Sequence, residues 1–208
     1  MPSLRQLLAQ HAPLLLLDAA SARIQVGLGS GPGAWNWAAA DEEAGVGLFR
    51  CLASLGADPG SVRAFAFAAG PGSVLGIRTA AAAIRTWCAL APRPVFAYHA
   101  LELLAAAFPR PEAAFIADAR RGAWHSFRAG EPLRRVASAD LAGPLVTPEG
   151  FRHWTPLPAG VQTVPYDLEQ LLPRVAEHDL FRPTAEPDAF LHEEPSYAAW
   201  TPQLHRAP

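Results

Sequence analysis

The residues best placed to do chemistry sit where a strand-like run, Arg63–Ala68, enters the loop Ala69-Gly70-Pro71-Gly72-Ser73-Val74-Leu75-Gly76 and a helical pattern follows from about Ile77 to Leu90. Glycines let such a loop take positive φ and bring its backbone close to an anion, and the first amides of the helix then point at it. Gly70, Gly72, Ser73 and Arg78 are the residues that could meet that anion. The same arrangement also serves as a strand-to-helix turn that binds nothing, and neither a Walker sequence nor G-x-G-x-x-G is present. Two carboxylates, Asp18 and Asp118, end the apolar runs Leu14–Leu17 and Ala113–Ala117. Asp118 opens the tight turn Ala119–Gly122, where an Asx-type bond to the turn backbone is the plainer reading. Arg120 and Arg121 in that turn could face a phosphate, although exposed turn arginines are ordinarily just solvated.

Other chemistries are excluded or left without support. No two of the seven histidines lie four residues apart, so no helix face offers a paired-imidazole metal grip. His99 alone reads as a helix-start or core residue. No Gly-x-Ser-x-Gly occurs, and Ser73 has no neighbouring base. All 17 basic side chains are arginine, which removes Schiff-base chemistry and any phosphate-binding lysine. A net charge of −2 argues against a chain that grips nucleic acid by itself. Cys51 and Cys88 read as buried, reduced thiols. No apolar run approaches the roughly 20 residues of a membrane span, and the first residues do not read as a signal peptide. A cytoplasmic chain without a bound metal is expected from these residues.

The elements that would position these residues follow from periodicity. Ser3–His11 reads as a short capped helix, Leu14–Asp18 as a buried strand, and Arg23–Leu28 and Ala34–Ala38 as its meander partners, with Trp35 and Trp37 on one face. Asp41 reads as the N-cap of a helix running to about Leu55, stopped by Gly56. Pro94–Tyr98 is a strand, His99–Phe108 a helix, and Glu112–Asp118 with Ala123–Arg128 a hairpin. Beyond Arg135 prolines are dense, and only Asp167–Glu177 reads as helical, interrupted by Pro173. No internal repeat is visible. The expected organisation is an N-terminal extension over 1–13, a first lobe over 14–97 and a smaller second lobe over 98–208, all of α/β class.

The order of these features resembles the TsaB family. Members open with a strand ending in an Asp-Thr-Ser type turn, here Asp18-Ala19-Ala20-Ser21. They carry Gly-Pro-Gly-Ser, two variable residues, Gly, an aliphatic residue and Arg, here Gly70-Pro71-Gly72-Ser73-Val74-Leu75-Gly76-Ile77-Arg78. An Asp-Ala-Arg turn with a following Gly is matched by Asp118-Ala119-Arg120-Arg121-Gly122, and a late Pro-x-Tyr by Pro195-Ser196-Tyr197. The resemblance implies two ribonuclease-H-like lobes of the sugar-kinase, heat-shock ATPase and actin superfamily, with mixed sheets flanked by helices. It implies a non-catalytic subunit, with no catalytic residue and no cofactor of its own. That subunit pairs with TsaD, alongside the ATPase TsaE, in making threonylcarbamoyladenosine in tRNA, with tRNA reached only through that complex. In the superfamily's enzymes, the strand-end carboxylates hold magnesium or do catalysis. Ala19 and Val74-Leu75 replace residues that bear hydroxyls in the family, which points away from nucleotide chemistry. The alternative reading is a stand-alone phosphotransferase or ATPase binding nucleotide between the lobes.

Periodicity also marks a surface. The helix after the glycine loop has one apolar stripe through Ile77, Ala80, Ala81, Ile84, Cys88 and Ala91, and a second through Ala83, Trp87 and Leu90. The preceding long helix adds Val46, Phe49 and Ala53 beside its stripe of Leu48, Cys51, Leu52 and Leu55. A helix apolar on two sides is deeply buried or meets a partner. The resemblance implies that these first-lobe helices pair with TsaD or with a second copy of the chain.

Overall fold

The computed structural model describes residues 1–190. The expected Pro195-Ser196-Tyr197 element lies outside them. Eleven strands form two sheets among the described residues. The first combines β1 (Leu14–Asp18), β2 (Ile24–Gly31), β3 (Ala34–Ala40), β4 (Ala64–Gly70), β5 (Val95–His99) and β11 (Arg182–Pro183) in the order β11-β5-β4-β1-β2-β3. The second combines β6 (Ala114–Asp118), β7 (Ala123–Phe127), β8 (Arg134–Ala137), β9 (Leu145–Pro148) and β10 (Gln162–Val164) in the order β10-β9-β6-β7-β8. In each, an antiparallel meander of three strands is extended from its first strand by two parallel strands. The sequence shows no repeat, yet the topology is duplicated.

Central strands explain the apolar runs. Every residue of β1 and β4 is buried, as parallel strands covered on both faces require. Above them, α2 (Ala44–Leu55) and α3 (Val74–Leu90) pack on the first sheet and on each other. Their small inward residues, Gly47, Gly76, Ala80 and Ala81, let the helices come close to the strands. On β2, Gly27 and Gly29 make room for the stacked rings of Trp35 and Trp37. A Cβ on Gly27 would lie 2.6 Å from the Trp37 ring.

Helix starts differ from expectation in two places. β3 pairs out to Ala40, so α2 begins only at Ala44; Asp41 is not its N-cap, and Glu43 at that position makes no side-chain cap bond. α3 begins at Val74 rather than Ile77, because Ser73 caps it by accepting the Gly76 amide. α1 (Leu4–His11) is the expected short capped helix, and its cap is a capping box between Ser3 and Gln6. It is stitched to the segment between the last helical turn and β11 by Arg5 N–H to the Ala176 carbonyl and by Phe181 N–H to that of Pro2.

The second lobe is sparser. Between β8 and β9 there is one 3₁₀ turn, Ser138–Asp140, and β9 reaches β10 by an irregular loop. Helix α4 (Ala100–Ala107) touches both sheets, so Phe115, Ala117 and Val146 join the main core. The opposite face of the second sheet has only a small cluster, Ala114, Ile116, Trp124 and Leu145. α5 (Leu168–Leu171), capped by Asp167, passes into a 3₁₀ turn at Pro173. Strand β11 then returns to the first sheet, and β5 extends two residues past the expected lobe boundary at Ala97. No helix among the described residues is long and apolar enough to cross a membrane.

Candidate functional site

The duplicated topology places Asp18 and Asp118 at equivalent points, each at the end of the first strand of its sheet. Their environments differ sharply. Asp18 is fully buried. Its Oδ2 accepts hydrogen bonds from the Tyr98 hydroxyl at 2.5 Å and the Tyr166 hydroxyl at 2.6 Å, and its Oδ1 accepts the Ala20 amide at 2.9 Å. Burial pushes its carboxyl above the usual aspartate range, although the bonds from Tyr166, Tyr98 and Ala20 oppose that rise. Both tyrosines are pushed well above the ordinary phenol value, by burial first and then by the Asp18 charge, so they act as donors. Nearby, the Gln25 side chain donates to the Tyr166 carbonyl and accepts from the Leu168 amide, which fixes the segment that delivers Tyr166.

Asp118 is half-buried and holds backbone. It accepts amides from Arg120, Trp154 and Thr155 and the Thr155 hydroxyl. Burial alone would raise its carboxyl, but these donors together outweigh that and hold it below the usual range. The Asx-type bond to the turn is therefore present, and the carboxylate also anchors the β9–β10 loop. The other end of that loop accepts the Ala22 amide at the Gly150 carbonyl, so it bridges the two equivalent turns.

The glycine loop leans on the first of those turns. The Ser73 amide donates to the Ala20 carbonyl at 2.7 Å. A Cβ on Gly72 would lie 2.4 Å from that oxygen, and one on Gly76 would lie 2.2 Å from the Ala19 carbonyl oxygen. Gly72 is therefore required by φ +154° and by contact, and Gly76 by contact alone. Behind the loop, Phe190 donates its amide to the Ala69 carbonyl, packs near Gly70 and sets its ring 4.9 Å from that of His99. Arg78 pairs with Asp188 at 3.5 Å.

The candidate residues thus fall into two groups. Asp18, Gly70, Gly72 and Ser73 gather around the first turn, and Arg78 sits on the outer side of the same helix start. Asp118 and Arg120 belong to the second turn. Tyr98, Tyr166, Gln25, Trp154 and Thr155 were not anticipated. Only Tyr98, a polar-tipped aromatic at the end of an apolar strand, carried any local signal. In the second turn, Arg120 and Arg121 have φ of 61° and 53°, a left-handed conformation that costs about 1 kcal/mol or more per non-glycine residue. Among the described residues, no group of three His, Cys, Asp or Glu could hold a metal ion.

The helix surfaces partly match expectation. Val46 and Phe49 are 53% and 51% exposed, Leu90 is 83% exposed, and Ala53 is exposed as well. Trp87 is different: it is half-buried and stacks on Phe65 with ring centres 5.5 Å apart. Ala83 also packs against the core. Both are partly covered because α3 lies on β4, where the Trp87 ring stacks on Phe65.

Comparison with known proteins adds a family. The family model described as TsaD, tRNA N6-adenosine threonylcarbamoyltransferase, matches residues 42–146. No curated protein sequence matches. Among solved structures, YeaZ from Pseudomonas aeruginosa is similar with a TM-score of 0.51 and 23% identity, over 65% of this chain and 74% of that one. A protein described as similar to the peptidase YeaZ from Pseudomonas aeruginosa has a TM-score of 0.52 and 20% identity, over 80% of this chain and 96% of its own. The fold is accordingly the two-lobed, mixed α/β architecture of YeaZ.

Proposed function

Since this chain belongs to the TsaD family, whose model is that of a tRNA N6-adenosine threonylcarbamoyltransferase, and has the YeaZ fold, we propose that it is a TsaB-type, non-catalytic subunit. In this reading it pairs with a TsaD-like catalytic subunit, with a TsaE-like ATPase joining them, to form threonylcarbamoyladenosine in tRNA in the cytoplasm. The observation that carries the reading is the engagement of both strand-end carboxylates by the chain itself. Asp18 is buried under two tyrosines, and Asp118 is filled by loop amides. A carboxylate that must bind magnesium or activate a water needs open lone pairs facing a cleft, and these are taken up by the chain's own tyrosine and threonine hydroxyls and backbone amides.

The pairing surface in this proposal is α2. Its exposed Val46, Phe49 and Ala53 lie on one face at i, i+3 and i+7, and Leu90 stands at the far end of α3. The same face could pair with a second copy when the catalytic subunit is absent. Phe49→Asp should leave the thermal midpoint close to that of the native chain, because the side chain is half in water already. It should weaken retention of the TsaD-like subunit of the same organism by at least about 30-fold, since a charge would be buried unpaired in the complex. Retention at native affinity by a normally folded variant would remove α2 from the interface. No retention by the native chain would sink the subunit reading, and micromolar ATP binding by the lone chain would replace it with the phosphotransferase.

A further inference from the structure

We infer that the second lobe carries a contact site for an unpaired nucleotide of RNA, built on the stacked pair Arg120 and Trp154. The guanidinium of Arg120 lies 3.8 Å from the centre of the Trp154 ring, and Trp154 is 60% exposed. Asp118 anchors both partners: it accepts the amide of Arg120 from one side and that of Trp154 from the other. An outward, immobilised tryptophan backed by a guanidinium is a platform on which one base can stack, and it favours no base in particular.

The surrounding charge names the partner. Arg121 adjoins Arg120 in the turn, and Arg152 precedes Trp154 by two residues; both are exposed. No salt bridge among the described residues engages Arg120, Arg121 or Arg152, so their charges are not offset by a paired carboxylate. On a chain of net charge −2, this is a local cationic surface around an aromatic, complementary to a phosphate strand. The backbone agrees. Two consecutive arginines adopt left-handed φ in an exposed turn, where Asn-Gly would be relaxed.

The inference extends the proposed tRNA role, because it gives this subunit its own weak contact to the RNA. It can fail separately from subunit pairing. The probe is a fluorescein-labelled, unmodified anticodon stem-loop transcript, titrated with the full chain at low salt and followed by anisotropy. The native chain should bind with a Kd of about 10–100 µM. Trp154→Ala should weaken binding roughly tenfold. Arg121→Gly should lower the salt slope by about 0.7 while raising thermal stability, because it relieves the strained φ. Opposite movements of binding and stability mark a residue kept for contact rather than for folding. Phe49→Asp should bind the RNA as the native chain does, which separates this site from the pairing face. No saturable binding up to about 200 µM, or unchanged affinity in Trp154→Ala, would overturn the site. So would equal competition by duplex DNA. Loss of TsaD-like subunit retention in Trp154→Ala with RNA binding intact would reassign the patch to a protein partner.

Discussion

Apart from the added edge strand β11, the two sheets share one strand order, but they are closed by different means. In the first lobe, α2 and α3 lie over the sheet, and their small inward residues seal it. In the second, the corresponding connections are a three-residue 3₁₀ turn and an irregular loop. There Trp124, fully buried and with its indole N–H donating to Ser138 Oγ at 3.0 Å, fills the outer face, and Leu141 and Val161 pack against its cluster. The turns follow suit. The first-lobe turn is pressed between glycine loop and tyrosines and reaches no solvent at Asp18, whereas the second-lobe turn stands in water and displays its arginines. A duplicated topology thus survives the loss of its helices where one large aromatic can fill the space, and the thinner lobe is the one left free to present side chains.

The contrast can be broken most directly at Trp124. Trp124→Ala removes the largest side chain of a four-residue cluster that no helix among the described residues covers, and should cost about 4 kcal/mol in urea unfolding. A cost under about 1.5 kcal/mol would mean that the outer face is closed by something else.

A smaller effect separates the turns. Gly76→Ala forces a methyl against the Ala19 carbonyl oxygen, a backbone atom that cannot rotate away, and should cost about 2–3 kcal/mol. Gly122→Ala meets nothing within 4 Å and should cost only the strain of its positive φ, about 1 kcal/mol. Equal costs would show that the glycine loop is not wedged against the first turn. Comparing the two midpoints at constant m-value decides this.

The smallest and most discriminating effect is the pH dependence of the two aspartates. The folded value of Asp118 is lowered, so its stabilisation is present above the unfolded value of about 3.9 and is lost as pH falls through the folded value. The native chain should therefore exceed Asp118→Asn by about 1 kcal/mol near neutrality, a modest figure because the carboxylate is partly in water, with the gap closing in acid. For Asp18 the folded value is raised, so the sign reverses. Relative to Asp18→Asn, the native chain should lose stability as pH rises from about 3.9 through the folded value. Parallel pH profiles for the two variants would contradict the difference in environment.

Much of this molecule follows from residue order alone. The fully apolar run before Asp18, the short capped helix over Ser3–His11, the strand–glycine-loop–helix order and the Asp118 turn are local patterns, governed by periods of 2 and 3.6 and by turn chemistry, and each appears where those rules put it. Short strands did not declare themselves: β8, β9 and β10 are three or four residues long among prolines, too brief for a period to register. Tertiary structure alone decided the rest. Tyr98 and Tyr166 lie 80 and 148 residues from Asp18, and only the pairing of β5 beside β4 and the Gln25 clasp bring their hydroxyls to one oxygen. Trp87 turned inward because Phe65 lay beneath it, and Trp154 turned outward because Asp118 took the amides around it. Local pattern sets which residues are apolar or strained, but whether such a residue ends in core or in water depends on what a distant segment leaves vacant, and that is a property of the packed whole.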